Sequence, residues 1–150
     1  MIAYHLAQLN IAHMRAPLGD PLLADFVAAL AAVNAAADAA PGFVWRLVDE
    51  SGEDATGLRP FGPEIMINMS VWESVGALRA YAYQTAGHLE VLRRRREWFD
   101  YEGLDNHAVM WWIPAGTLPT LEEARDRLAL LDKDGPTPDA FTFRESFPSP

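Results

Sequence analysis

Apolar positions recur along the chain with two spacings, which predict an alternation of strands and helices. Short apolar stretches bounded by turn residues are typical of strands, and apolar residues repeated every three or four positions are typical of helices. The predicted strands are residues 3–11, 43–49, 65–72 and 109–113, with a short edge strand at 140–144. The predicted helices are residues 21–38, 74–84, 88–99 and 120–131.

Local residue signals mark where these helices begin. Asp20 precedes Pro21, which is an N-cap residue followed by proline at the first helical position. Thr120 and Glu123 form the pattern of a capping box. Gly87 is expected to interrupt the helical region that Ser74 begins, so two helices are predicted there.

The order of elements is β-α-β-β-α-β followed by a C-terminal helix, which predicts an α+β, ferredoxin-like antiparallel sheet. No repeat or linker divides the chain, so residues 1–150 are interpreted as one domain. Helices on one face would leave the other face, with Leu9, Met69 and Trp111, uncovered. A second copy of the chain is the simplest cover for such a face, so we expect a homodimer.

Composition narrows the partners and the compartment. The chain has 150 residues and no cysteine, which excludes disulfides and thiolate chemistry. Its net charge of −9 repels phosphate backbones and anionic lipids, so we expect neither nucleic acid nor membrane as a partner. Residues 1–10 lack the basic start and long apolar core of a signal peptide, so a cytoplasmic protein is expected.

Five stretches resemble an uncharacterised bacterial family, the domain of unknown function 3291. They are LAQLNIA, GFVWRL, MSVWES, GHLEVLRRRREWF and WWIPAG, and the resemblance runs from Tyr4 to Arg144. That family is placed in the dimeric α/β-barrel superfamily, which includes the antibiotic-biosynthesis monooxygenases. The resemblance implies two ferredoxin-like sheets paired face to face, and it implies no settled activity.

Haem-degrading members of that superfamily use an Asn on the first strand, a Trp at the end of the third and a His in the next helix. Asn10, Trp72 and His88 hold the corresponding places here. The interval from Trp72 to His88 is longer than in that branch, and Gly87 places His88 at a helix start. The resemblance thus implies haem, with His88 as axial ligand, as one alternative.

The side chains themselves also suggest chemistry. Asn10 and Asn68 are amides in apolar strands, where each lines a pocket or bonds a backbone edge. An Asn donor in a pocket would stabilise the oxyanion of an enolised substrate. His88 is a candidate general base, and its alternative role is a hydrogen bond at the helix start. The histidine spacing matches no metal motif, so no metal is expected.

Aromatic and basic residues are the candidates for substrate contact. Tryptophans in a cleft favour flat apolar ligands, although their alternative role is in the core. Arg95 belongs to the run Arg93–Arg96, which is either a solvated face or a source of ligand pairing. We predict catalytic roles for His88, Asn10 and Trp72, and substrate binding by Asn68, Trp111, Tyr81 and Arg95.

These residues favour cofactor-independent oxygenation or isomerisation of a flat, apolar, aromatic or polyketide-like substrate. Two alternatives remain open at this stage. One is a protein that binds or degrades haem through His88. The other is a non-catalytic ligand-binding or stress-response dimer.

Overall fold

In the computed structural model, which describes residues 2–150, strands and helices follow one another as the apolar spacings predict. The strands are β1 (Tyr4–Met14), β2 (Phe43–Arg46), β3 (Ile65–Trp72), β4 (Phe99–Asp100) and β5 (Ala108–Pro114). The helices are α1 (Ala24–Asp38), α2 (Val75–Gln84), α3 (Ala86–Trp98) and α4 (Leu121–Asp134), with a 3₁₀ turn at Pro21–Leu23 before α1.

Strand β1 lies at the centre of an antiparallel sheet. It pairs with β3 on one side and with β5 on the other, and β2 pairs with the outer edge of β3. Asn10 of β1 lies opposite Asn68 of β3 and Ala108 of β5. The resulting order, β2-β3-β1-β5, is that of the ferredoxin-like fold, so the predicted fold class is confirmed.

Side-chain caps start three of the helical segments where the sequence predicts them. The side chains of Asp20, Ser74 and Thr120 accept hydrogen bonds from backbone N–H groups at 2.9, 3.0 and 3.1 Å. The break between α2 and α3 falls at Thr85, whose backbone is extended, and not at Gly87. Gly87 was expected to break the helix because glycine is a weak helix former, but it lies within α3.

Two strand predictions differ from the structure at the sheet edges. β1 extends beyond its predicted end because His13 and Met14 pair with the short strand β4, which was expected to be helical at Phe99. The edge strand expected at 140–144 is reduced to a bridge between Met110 and Phe141. Both differences arise from pairing between distant segments, which local spacing does not report.

Helices α1, α2 and α3 pack on the face of the sheet that carries Gln8 and Asn10, which we call the amide face. Two apolar clusters lie at opposite ends of this face. The first is formed by Leu6, Ala37, Trp72, Leu78, Tyr81, Met110 and Phe141. The second is formed by Met14, Leu23, Phe26, Met66, Trp98 and Phe99.

Helix α4 covers the opposite face, so the expectation of an uncovered sheet face is wrong. Ala124, Leu128 and Leu131 of α4 join the buried cluster on that face. Leu9 is only 1% exposed and Trp111 is fully buried within the single chain. The homodimer predicted from this face therefore loses its main support from the sequence pattern.

Helix α1 and its preceding turn are apolar on nearly every side. By length and composition alone, Pro21–Asp38 passes as a candidate membrane span. Leu23 and Phe26 are nevertheless buried in the second cluster, and Asp25 pairs with Arg94 of α3 at 2.8 Å. These contacts are those of a helix packed on the sheet.

Candidate functional site

Gln8 is the centre of a hydrogen-bonded row of side chains on the amide face. Its Nε2 donates to Asn68 Oδ1 at 2.8 Å and to Ser70 Oγ at 2.7 Å. Asn10 Nδ2 donates to Gln8 Oε1 at 3.3 Å, and Trp72 Nε1 donates to Ser70 Oγ at 2.8 Å. We call these five residues the amide ladder.

Exposure changes sharply along the amide ladder. Gln8, Ser70 and Trp72 are buried, whereas Asn10 and Asn68 are exposed, contrary to the burial expected of amides in apolar strands. The two asparagines lie directly opposite each other in the register of β1 and β3. They therefore form an open polar floor between the two apolar clusters, which we call the amide cleft.

Trp72 supports the amide ladder from beneath and does not line the cleft. Its side chain is 1% exposed, with Phe43 edge-on at 5.4 Å and Tyr81 stacked at 5.1 Å between ring centroids. A buried indole with a satisfied N–H has no surface left for a ligand. The predicted catalytic role of Trp72 therefore stays a prediction, and its burial favours positioning through neighbouring residues over direct contact with substrate.

Tyr81 connects Trp72 to α1 and to His88. Its hydroxyl donates to the carbonyl of Val33 at 2.9 Å, and its ring lies 4.9 Å from that of His88. Burial raises the pKa of Tyr81 to about 12, so its hydroxyl stays protonated near neutral pH. Tyr81 is 8% exposed, so it acts as packing beneath the cleft and not as a ligand contact.

His88 is a half-buried imidazole near the start of α3. Its Nδ1 lies 2.8 Å from the carbonyl of Ala82 and donates to it, because a carbonyl can only accept. Burial lowers the pKa of His88, so the neutral ring carries its lone pair on Nε2. The contacts joining His88 to the amide ladder pass through Tyr81 and Trp72.

Arg95 lies with two aromatic side chains that the sequence did not single out. Burial raises the pKa of Tyr101 against the opposing charge of Arg95, whereas burial and the charge of Arg95 both lower the pKa of His107. The two rings are 4.2 Å apart. The carbonyl of His107 accepts from the backbone N–H of Ile11 at 2.8 Å. Arg95, Tyr101 and His107 therefore form a group next to Ile11, which follows Asn10 in β1.

Trp111 lies on the α4 face, so the structure does not bring it together with Asn10 and Asn68. It pairs with Ala7 in the sheet register, so its side chain points away from Gln8 and Asn10. Its Nε1 donates to Glu123 Oε1 at 2.8 Å. Glu123 was expected to complete a capping box, but its carboxylate holds this buried indole instead.

Gln8 and Ser70 are the ladder residues that sequence reasoning missed as site candidates. A signal for them existed in the period-two placement of polar residues. Gln8 and Asn10 are two apart on β1, and Asn68 and Ser70 are two apart on β3. Two such pairs on neighbouring strands predict one polar patch when the strands pair in register.

A groove of about 780 Å³ lies on the other side of the sheet, between α4 and the loops at Phe61 and Leu104. Its rim is acidic, with Asp105, Glu122, Asp126 and Asp132 against the single Arg125. Among residues 2–150, no group of three or more His, Asp or Glu side chains is placed to hold a metal ion. In the amide cleft, by contrast, the buried polar residues Gln8 and Ser70 are hydrogen-bonded to each other, and Gln8 is also hydrogen-bonded to the exposed Asn10 and Asn68.

The sequence of residues 5–150 matches the family described as Domain of unknown function (DUF3291). The match spans nearly the whole chain, so this protein belongs to that family, as its motifs indicate. No curated protein matches the sequence.

Three solved structures show comparable folds at low sequence identity. The chain is similar to SnoaB, a cofactor-independent oxygenase from Streptomyces nogalater, with 18% identity, TM-score 0.48, and 79% of this chain and 98% of that chain covered. A protein from Chloroflexus aurantiacus, provisionally assigned as an antibiotic biosynthesis monooxygenase, has 14% identity and a TM-score of 0.47, with 78% of this chain and 98% of that chain covered. NE2512 from Nitrosomonas europaea, of unknown function, has 16% identity and a TM-score of 0.47, with 80% of this chain and 99% of that chain covered.

Proposed function

We propose that the amide cleft binds a small, flat, apolar molecule and catalyses its cofactor-independent oxygenation or isomerisation. The observation that carries the proposal is the exposed pair Asn10 and Asn68, set between two apolar clusters. A few placed polar groups in otherwise apolar surroundings are typical of sites for small organic ligands. The chemistry follows from which atoms of these groups face the cleft.

In this proposal Asn68 and His88, which are connected through Trp72 and Tyr81, supply the two groups that enolisation of a ketone needs. Gln8 occupies Asn68 Oδ1, so the Nδ2 of Asn68 is free to donate to a substrate oxygen. Such a donor stabilises the oxyanion that forms when a neighbouring C–H loses its proton. His88 Nε2 is the proposed acceptor of that proton, since Nδ1 is committed to Ala82.

Two outcomes are open to the enolate formed in this way. In isomerisation, the proton held on His88 Nε2 returns to a different carbon of the substrate. In oxygenation, molecular oxygen is the oxidant: one CH₂ group and one O₂ become one C=O group and one H₂O. The two outcomes share the same deprotonation, so they depend on the same residues.

The remaining predicted residues support the site from around it. Trp72 and Tyr81 position the amide ladder and His88 by packing and hydrogen bonding. Arg95 is proposed to meet a polar end of the ligand, together with Tyr101 and His107. Neither role requires a group outside the chain.

The haem alternative fits these residues less well. The free lone pair on His88 Nε2 has the donor chemistry of an axial ligand. However, its ring packs on Tyr81, and Trp72, the aromatic residue implied by the haem-degrading resemblance, is buried. A Soret band on titration with hemin that disappears in His88→Ala would replace our proposal with this alternative.

Native mass spectrometry of the freshly purified chain tests ligand binding directly. We expect a retained small molecule that is lost in Asn10→Leu and Asn68→Leu but kept in Asn106→Leu. Asn106 is a matched control because its amide bonds Asp132 of α4, away from the amide cleft. Equal retention by all variants would contradict the proposed site.

Oxygen uptake with anthrone tests the chemistry. Anthrone is a flat ketone with an activated methylene, and it would yield anthraquinone and water. We expect turnover in the unmodified chain and its loss in His88→Ala. Binding of anthrone without either oxygen uptake or isomerisation would instead indicate a non-catalytic binding protein.

A further inference from the structure

Gln8 accepts a hydrogen bond from Asn10 and donates one to Asn68, so the two asparagines present unlike atoms to a ligand. We propose that the amide cleft selects neutral ligands that present a hydrogen-bond donor next to an acceptor, such as a cis-lactam or an enol beside a carbonyl. This inference rests on the proposed function, because it names the substrate class for the same cleft. It follows from the chemistry of one buried side chain.

A glutamine amide has two unlike ends, and Gln8 uses one on each asparagine. Its Oε1 accepts from Asn10 Nδ2 at 3.3 Å, and its Nε2 donates to Asn68 Oδ1 at 2.8 Å. Asn10 therefore turns its Oδ1 outward, whereas Asn68 turns its Nδ2 outward. The cleft floor presents one acceptor and one donor side by side.

This unlike pair does not depend on which way the row of amides is oriented. If the amides of Gln8, Asn10 and Asn68 all turned over together, every bond between them would still join a donor to an acceptor. Asn10 would then present the donor and Asn68 the acceptor. The two outward ends would remain unlike, so the class of ligand would be the same.

The buried half of the amide ladder keeps Gln8 in place. Gln8 is 7% exposed, and its Nε2 also donates to Ser70 Oγ at 2.7 Å. Ser70 is itself 6% exposed and accepts the indole N–H of Trp72. Rotating Gln8 alone would leave the buried amide without a hydrogen-bond partner at one end, which is unfavourable.

The same floor disfavours ligands whose two neighbouring polar atoms are alike. A carboxylate or an ortho-quinone presents two acceptors, so one of its oxygens would face the outward oxygen of an asparagine. An unpaired or opposed polar group is a strong means of discrimination between ligands of the same shape. These molecules would fit the cleft by shape, but the asparagine amides would bind them weakly because one pair of acceptors would be opposed.

Two bicyclic probes of nearly identical shape separate these possibilities. In 2-quinolone an N–H lies beside the C=O, and in coumarin a ring oxygen replaces that N–H. We expect the unmodified chain to bind 2-quinolone about tenfold more tightly than coumarin by isothermal titration calorimetry. The difference reports the exchange of a donor for an acceptor at one position, because area and aromaticity are matched.

Single asparagine variants assign each end of the ligand. Asn10→Leu removes the outward acceptor, so it should weaken 2-quinolone about tenfold and leave coumarin within about twofold. Asn68→Leu removes the donor to the carbonyl, so it should weaken both probes. Both positions are exposed, which favours folded variants, and Asn106→Leu serves as the unaffected control.

The outcomes distinguish this inference from the proposed function. Equal affinity of the two probes, with both weakened alike by Asn10→Leu and Asn68→Leu, would overturn the selectivity and leave the amide cleft as the binding site. Affinities unchanged in both variants would overturn the site itself. Failure of the unmodified chain to bind either probe would count against both.

Discussion

The indole of Trp72 lies nearly parallel to the ring of Tyr81, with centroids 5.1 Å apart and planes 28° apart. Tyr81 in turn contacts the imidazole of His88, whose ring centroid is 4.9 Å away. Trp72 is therefore the joint between the hydrogen bonds of the amide ladder and the aromatic packing under α3. Its position in the sequence indicated a site, and its burial is the reason that we propose a role through other residues.

Replacing Trp72 by Phe should weaken ligand binding without a ligand contact being lost. The variant keeps an aromatic ring against Tyr81 but removes the N–H that Ser70 Oγ accepts. Ser70 then has a free acceptor beside Gln8, so the orientation of the amides is less fixed. We expect the affinity for 2-quinolone to fall by about threefold to tenfold in calorimetric titrations.

Trp111→Phe is the matched control for that variant. It also removes an indole N–H with a side-chain partner, here Glu123, but on the α4 face. We expect a lower Tm with 2-quinolone affinity unchanged. A loss of affinity equal to that of Trp72→Phe would show that the effect comes from general destabilisation.

Protonation of His88 should lower the stability of the folded chain at acid pH. Burial lowers its pKa below the ordinary 6.5, so the unfolded chain takes up the proton more readily than the folded one. The folded state therefore loses stability as the pH falls from 6.5 through the lower folded pKa, and it keeps that stability above 6.5. In His88→Gln, we expect a smaller drop in Tm over this acid window than in the unmodified chain.

Activity should follow the same titration. Protonated His88 cannot accept a proton, so turnover is expected to fall on the acid side with an apparent pKa below 6.5. His107→Gln is a comparison variant, because burial also lowers the pKa of His107, and His13→Gln is the control, because His13 contacts Glu64 and Asp100 and has no role in the proposed site. If the fall in turnover at acid pH disappeared in His107→Gln, the proton acceptor would be His107 and not His88.

His13 should show the opposite pH dependence. The hydrogen bond from His13 to Glu64, with the further contact to Asp100, raises its pKa above 6.5 despite some opposing burial. The stabilisation is fully present below 6.5 and is lost as the pH rises through the folded pKa. His13→Gln should therefore lower Tm more at about pH 5 than at about pH 9, and equal losses would contradict this.

The packing of α4 on the sheet should be a large part of the stability. Leu131 is 1% exposed and lies in the buried cluster with Leu9 and Val109. Leu131→Ala should cost about 2–5 kcal/mol in urea unfolding because it leaves a cavity. Leu118→Ala, at an exposed leucine, should cost far less.

The homodimer remains a prediction that sedimentation can test. Its support from an uncovered sheet face is gone, because α4 buries that face within one chain. The resemblance to dimeric barrels still favours a pair of chains. We expect analytical ultracentrifugation at micromolar concentration to give twice the 16.6 kDa of the chain, and a folded monomer would contradict it.

The sequence predicted the elements well where a local period decides them. Strands with alternating faces, such as residues 65–72, and the capped helix after Thr120 lie where expected. The placement of α4 could not be read locally, because its apolar stripe would fit either sheet face. The choice is made by tertiary contacts such as that between Trp111 of β5 and Glu123 of α4, which a local period does not report.

The candidate site was predicted in part, and the missing part is also a matter of packing. Asn10 and Asn68 could be found as polar residues in apolar strands, and the register places them opposite each other. Gln8 and Ser70 were overlooked because each has an ordinary structural role on its own. Their importance appears only when one amide is seen to satisfy both neighbours at once.

The central position of β1 also affects how the chain folds during synthesis. β1 leaves the ribosome before its two neighbours, since Leu9 pairs with both Met69 and Val109. One edge of this apolar strand therefore stays unpaired until β3 emerges and the other until β5 emerges, and such late, long-range pairing slows folding. The nascent chain should thus depend on chaperones more than a helical protein of equal length, because an open apolar strand is prone to aggregate.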